Sequence, residues 1–233
     1  MIKKMLEKFE FERNGIKFLY FPARNCKKLV VSFNGATRNR YSMWSFFYNE
    51  SHSWEDTSYL FLKDDSDPNY FWWYLKDSEI FSDIIEYHIQ KLNLTSKDVI
   101  MLGSSMGGYA CIYYGLKFGV RGCISFRPQI DYLTASKFFT IARLKNIYVD
   151  LNDLIKSVPD DELPMMYLNY SDFPHDKLAA YHLIDELKKS KTLSLIHPIS
   201  GSEHISWNPD EKFIRSLLEL MYSIDIVQRE SVA

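Results

Sequence analysis

Apolar and polar residues alternate on both sides of Asn14-Gly15 in the stretch FEFERNGIKFLYF. Alternation of period two marks half-buried strands, and Asn-Gly suits a tight turn with positive φ, so this pattern predicts a β-hairpin. KKLVVSF (27–33) and TSYLFL (57–62) are apolar runs of strand length, the first followed by the loop NGATRNR. In SEIFSDIIEYHIQKL the period changes. Ile80, Ile84, Ile85, Ile89 and Leu92 recur at helical spacing, and Ser78 is placed to cap that helix. KDVIML then predicts a strand, MGGYACIYYGLKFG a helix closed by Gly119, and RGCISF another strand. PMMYLNY and KTLSLIHPI read as strands, HDKLAAYHLIDELKKS and NPDEKFIRSLLELMYSI as helices, with Pro209 near the first turn of the last.

Strands that alternate with helices imply βαβ units and a mostly parallel sheet with helices on both faces. The hairpin adds antiparallel strands at one edge. Between Asp131 and about Leu163 the pattern is irregular and partly helical, and too long for a plain connection. It is expected to fold as a small helical cap over the C-terminal strand ends, where open α/β sheets bind ligands. The 233 residues fit one domain spanning 1–233, with the cap inserted at about 131–163.

Charge and composition narrow the classes of function. The formal net charge is −2, which gives a polyanion nothing to bind, so no nucleic-acid partner is expected. Cys26, Cys111 and Cys123 are few, odd in number and set among apolar residues; they predict buried thiols rather than a disulfide framework or a metal site. The start of the chain, MIKKMLEKFEFERNG, is broken by charges every few residues and lacks the apolar core of a signal peptide. No apolar run is long enough for a membrane span. The expectation is a cytoplasmic protein without an integral membrane segment; oligomeric state is left open. The aromatic stretch YFWWYL (70–75) is either packing or a platform for sugar rings.

Gly103-Ser104-Ser105-Met106-Gly107 has the pattern G-x-S-x-G between a predicted strand and a predicted helix, with Gly108 extending the small run. A nucleophile elbow needs that setting: the turn is so sharp that flanking residues must be small. Ser105 is therefore the expected nucleophile. A serine hydroxyl needs a base, and the base an orienting carboxylate. His204 lies in a loop after the last predicted strand and is the favoured base. His197 falls within that strand, His88 and His182 on predicted helices, and His52 and His175 in predicted loops. His175 is kept as a candidate for the substrate pocket. For the acid, Asp172 is favoured as a strand-end residue. Asp176 is its rival, though it is also placed to cap the following helix. Two backbone N–H donors would hold an oxyanion. Met106 supplies one, and the loop Asn34-Gly35-Ala36-Thr37 the other, with Ala36 preferred and Gly35 next. Arg38 and Arg40 could hold an anionic part of a substrate or pair with surface acids.

With SFNGA as oxyanion loop, GSSMGG as elbow, the strand end at Asp172 and the loop of His204, the chain resembles the α/β-hydrolase superfamily. GSSMGGYACIYYG followed by SFRPQID is similar to bacterial members linked to capsule and surface-glycan biosynthesis and to accessory secretion. The resemblance implies an α/β-hydrolase-like fold and a serine acyl-transfer enzyme: an esterase, deacetylase or sugar O-acetyltransferase acting on a small-molecule or glycan acyl ester. It implies no required cofactor or metal, with acetyl-CoA as acyl donor if the enzyme is a transferase. Asn34-Gly35 stands where many hydrolases have His-Gly, which leaves the esterase subfamily open. The alternative is a non-catalytic interaction module of the same fold.

Overall fold

The computed structural model describes residues 2–37, 41–48, 55–64, 67, 69–204 and 209–224. The chain begins with a helix, α1 (Ile2–Phe9), and a hairpin of β1 (Glu10–Arg13) and β2 (Ile16–Phe21). Both turn residues have positive φ, Asn14 at 51° and Gly15 at 81°. That is the backbone which matches the twist of a two-residue hairpin. β3 (Lys28–Phe33), α2 (Trp44–Phe47), β4 (Thr57–Leu62) and α3 (Ser78–Lys91) follow, then β5 (Val99–Ser104), α4 (Met106–Phe118) and β6 (Gly122–Phe126). The second half holds α5 (Tyr132–Phe138), α6 (Leu151–Ser157), β7 (Met165–Ser171), α7 (Pro174–Lys189), β8 (Ser194–Ile199) and α8 (Glu211–Ser223).

The eight described strands form one sheet in the order β1-β2-β4-β3-β5-β6-β7-β8. β1 with β2 and β2 with β4 are antiparallel, and every other pair is parallel. The central strands are buried on both faces, so they read as continuous apolar runs rather than alternating ones. On one face Val31, Met101, Cys123 and Leu168 pack under residues of α3, α4, α6 and α7. On the other, Val30, Ile100, Leu102 and Ile124 meet Met5 and Phe9 of α1 and Ile214, Leu217 and Met221 of α8. The fold is α/β with a mostly parallel sheet and helices on both faces. Among the described residues no helix is long and apolar enough to cross a membrane.

Three local readings change. The charged N-terminal stretch is a helix whose Met5 and Phe9 share one buried face, so its lysines are the solvent side of an amphipathic element. Ser78 does not cap α3 from outside. It is the first helical residue, and its carbonyl accepts from Ser82 Oγ at 2.8 Å. Pro209 precedes α8, whose N-cap is Asp210, accepting from the amide of Phe213 at 2.8 Å.

The segment 131–163 contains α5, a tight turn at Ala142–Leu144 and α6. α6 packs against α4 and α7, within the helical layer flanking the sheet. The end of α5 and the residue after it, Phe138 and Phe139, reach the C-terminal strand ends, where their rings stand beside His175. The aromatic stretch 70–75 is mainly packing. Trp73, Tyr74 and Leu75 are buried, and Tyr74 donates its hydroxyl to the carbonyl of Asn34 at 2.8 Å. Only Tyr70 is substantially exposed, at 50%.

Candidate active site

β5 ends at Ser104 and α4 begins at Met106, so a single residue, Ser105, makes the turn between them. Its φ is 58° and its ψ −122°, a conformation costing a non-glycine residue of order 1–3 kcal/mol. The surrounding packing holds it there. A Cβ on Gly103 would stand 2.0 Å from the carbonyl oxygen of Gly107, and one on Gly107 only 2.3 Å from that of Phe33. Strand and helix can approach this closely because neither glycine has a side chain. The Ser105 amide donates to the carbonyl of Phe126 at 2.7 Å, and its carbonyl accepts from Tyr109 N at 3.0 Å, opening α4. Ser105 is thus anchored at the N-terminus of a buried helix, whose dipole favours negative charge.

Three side chains are joined in series. Ser105 Oγ lies 2.7 Å from His204 Nε2, and His204 Nδ1 lies 2.6 Å from Asp176 Oδ1. Nδ1 bears the proton and donates to the carboxylate. Nε2 is then the free base that accepts from the serine hydroxyl. Asp176 is fully enclosed. Its Oδ1 also accepts from His175 Nδ1 at 3.1 Å, and its Oδ2 lies 2.7 Å from Ser171 Oγ. Burial by itself would raise its carboxyl pKa. The hydrogen bonds from His175 and His204, the electrostatic attraction of the neighbouring His204 ring and the hydrogen bond from Ser171 outweigh burial and hold it below the usual carboxylate range. Ser171 Oγ also lies 3.3 Å from the carbonyl of Glu203, tying the end of β7 to the loop that carries His204.

The favoured acid, Asp172, does not reach His204. β7 ends at Ser171, whose side chain turns inward, and Asp172 points the other way. It is exposed and pairs with Lys177 at 3.5 Å. α7 starts soon afterwards with Pro174 as its first residue, and Asp176 falls on the buried side of that first turn. His175, expected in a loop facing substrate, lies inside that first helical turn. It has no exposed surface and is enclosed by the rings of Phe138, Phe139 and Phe173, so it holds Asp176 instead of lining an open pocket. Phe139 also meets His204 edge-on, the two ring centres 5.5 Å apart. Arg38 and Arg40 lie outside the described residues, as does His52.

The loop after β3 abuts the elbow. A Cβ on Gly35 would stand 3.3 Å from the Ser104 carbonyl oxygen. Ala36, exposed, is the centre of a tight turn closed by Thr37 N donating to Gly35 O at 2.7 Å. The Asn34 side chain braces the turn: its Nδ2 donates to the carbonyl of Thr37 at 2.6 Å and its Oδ1 accepts from Thr37 Oγ1 at 3.1 Å. Met106 is the first residue of α4, so its amide has no intrahelical acceptor.

Gln129 matches no catalytic motif in the sequence. It is buried beyond the end of β6, and its Nε2 donates to Ser105 Oγ at 2.8 Å. Arg127, with φ of 49°, turns the chain out of β6 and donates to Ser104 Oγ at 3.2 Å. The only signal in the sequence was polarity: Arg127 and Gln129 sit just after an apolar strand that ends beside the elbow. His175, Asp176 and His204 also bring three ligand-type atoms within 4.8 Å of one another, as a metal site would. Here both imidazole Nδ1 atoms are engaged with one carboxylate oxygen, Asp176 Oδ1.

No protein-family model matches the chain, and no match was found among curated proteins. Solved structures do resemble it. The capsule O-acetyltransferase of Neisseria meningitidis serogroup A is 21% identical, with a TM-score of 0.68 over 91% of this chain and 92% of that one. A histidine-to-alanine mutant of that enzyme in complex with CoA aligns with a TM-score of 0.66 over 91% and 94%, again at 21% identity. The serine hydrolase FphF of Staphylococcus aureus is 13% identical, with a TM-score of 0.63 over 93% and 97%. These likenesses and the sheet order agree: the chain has an α/β-hydrolase-like fold, with Ser105, His204 and Asp176 hydrogen-bonded in series at the C-terminal ends of its parallel strands.

Proposed function

We propose that this chain is a serine acyl-transfer enzyme. The observation that carries the reading is the unbroken series Ser105 Oγ–His204 Nε2 and His204 Nδ1–Asp176 Oδ1, at 2.7 and 2.6 Å. Ser105 attacks an ester or thioester carbonyl while His204 takes its proton. The Ala36 and Met106 amides, with Gly35 allowing the loop to come close, receive the charge that develops on the carbonyl oxygen. His204 then protonates the leaving group, and Asp176 keeps the imidazole in the right tautomer and stabilises its charged form. Water or a hydroxyl discharges the acyl-enzyme, with His204 as base.

Within that class we favour transfer of an acetyl group from acetyl-CoA to a glycan hydroxyl. The support is the likeness to the meningococcal capsule O-acetyltransferase, including its CoA complex. Intact mass of the protein after incubation with acetyl-CoA or an aryl acetate tests this. An acetyl adduct is expected, and Ser105→Ala should abolish it. Discharge that requires a sugar acceptor supports the transferase; rapid discharge by water alone makes the protein a hydrolase. Wild-type protein, folded, that takes up neither an acetyl group nor a fluorophosphonate on Ser105 would overturn the enzyme reading.

A further inference from the structure

We infer that Gln129 is a positioning residue for the nucleophile, its side-chain amide fixing Ser105 Oγ in the rotamer that hands its proton to His204. The inference rests on the reading of Ser105 as nucleophile.

Two donors decide the orientation of the Gln129 amide. The Trp73 indole N–H can only donate, and it lies 3.3 Å from Gln129 Oε1. The carbonyl end of the amide therefore faces Trp73 and the NH2 end must face Ser105, where Nε2 donates to Oγ at 2.8 Å. A flipped amide would set its NH2 against the indole N–H and leave two buried donors without acceptors. Gln129 is 1% exposed and Trp73 6% exposed, so water does not compete for these bonds. The backbone is held too: the Gln129 carbonyl accepts from Tyr148 Oη at 2.9 Å.

A serine oxygen has one proton and two lone pairs. With Gln129 donating into one lone pair, the hydroxyl proton has a single good acceptor left, His204 Nε2 at 2.7 Å. The second lone pair remains for attack. Without Gln129 the hydroxyl is free to rotate among staggered positions, and only one of them points at His204. The same donor also stabilises negative charge on Oγ while its proton is leaving. Gln129 thus acts through Ser105 and need not touch substrate.

The test is the acylation rate of Ser105 by a fluorophosphonate, followed by intact mass across pH 5–9. In that step the Oγ–P bond forms, fluoride leaves and the proton passes to His204. Ser105 is surrounded by His204, with Asp176 and His175 behind it and Arg127 at the elbow. The wild-type profile over the same range is the reference. Gln129→Glu keeps the shape and the Trp73 contact. Protonated, it still donates to Oγ; ionised, it accepts the hydroxyl proton and turns it away from His204. Relative to wild type its rate is expected to fall as pH rises, to at least tenfold below wild type at pH 8. Gln129→Met, with no donor, should be slower by about tenfold at every pH. Trp73→Phe frees the amide to flip and should slow the reaction severalfold, with aryl acetate kcat falling and KM unchanged. Melting curves identify any variant that does not fold; the remaining two then carry the test. Wild-type rate and pH profile in the folded variants would overturn this inference alone. No adduct on wild-type Ser105 would overturn the enzyme reading, and this inference with it.

Discussion

His204 Nδ1 lies 2.6 Å from Asp176 Oδ1, joining the loop after β8 to the first turn of α7. Four residues earlier, Asp172 is exposed and salt-bridged to Lys177. The two carboxylates therefore predict opposite outcomes. Asp176→Asn leaves the shape intact but lets His204 adopt the wrong tautomer, and kcat on an aryl acetate should fall by about 10⁴-fold. Asp172→Asn removes a half-exposed ion pair, of little consequence for stability or chemistry, and should retain wild-type kcat. Steady-state kinetics of both variants settles the assignment; near-normal activity in Asp176→Asn would refute it.

What the sequence made legible follows from period. Strands buried on both faces and helices with one apolar stripe announce themselves, and Asn14-Gly15 named its own turn. The elbow was legible because crowding between β5 and α4 demands glycine at fixed offsets around Ser105. Which carboxylate meets His204 was harder to read, because that depends on where a strand stops and a helix starts. Strand alternation carries Ser171 inward and so Asp172 outward, and Pro174, fit for a first helical turn, places Asp176 on the inner side. Those two cues together pointed to Asp176, against the expectation that the strand end carries the acid. Gln129 showed only its polarity, because its partners, Trp73 and Ser105, are 56 and 24 positions away and no periodicity records a contact of that kind.

The loop after β3 offers a test of the oxyanion assignment. Ala36 centres a turn closed by Thr37 N and Gly35 O, and it is not among the residues with positive φ. Such a turn has the backbone that proline prefers, so Ala36→Pro removes the amide proton without breaking the turn. If that amide holds the oxyanion, kcat should fall by about 10²–10³-fold. Ala36→Gly keeps the donor and should stay within a few-fold of wild type. Equal kcat in the proline variant would move the donor elsewhere in the loop.

Two glycines should fail for different reasons. At Gly103 a methyl group would overlap the backbone of Gly107 at 2.0 Å, where no side chain can swing aside. Gly103→Ala should cost at least 1–3 kcal/mol of stability, the usual toll of overpacking, and displace Ser105 as well. Gly119 closes α4 with φ of 56°, and a Cβ there has nothing nearer than 3.9 Å. Gly119→Ala should cost only about 1 kcal/mol, through backbone strain, and leave kcat unchanged. Denaturant melts and turnover of the folded fraction separate the two mechanisms.

His88 predicts how stability responds to mild acid. It is buried on α3 between the rings of Phe18 and Tyr20, and its Nδ1 is hydrogen-bonded to the Ile84 carbonyl at 2.7 Å. Burial lowers its pKa; the bond to Ile84 opposes this, and the charges of Lys91 and Arg13 add to the lowering. The folded state therefore binds this proton less readily than the unfolded chain does. The stability at stake is fully present above the unfolded value, near 6.5, and is lost as pH falls through the lower folded one. The melting temperature should drop between pH 7.5 and 5. In His88→Phe, which fills the same aromatic pocket without a titrating nitrogen, that drop should shrink. If both proteins lose the same number of degrees over that range, the acid sensitivity arises elsewhere.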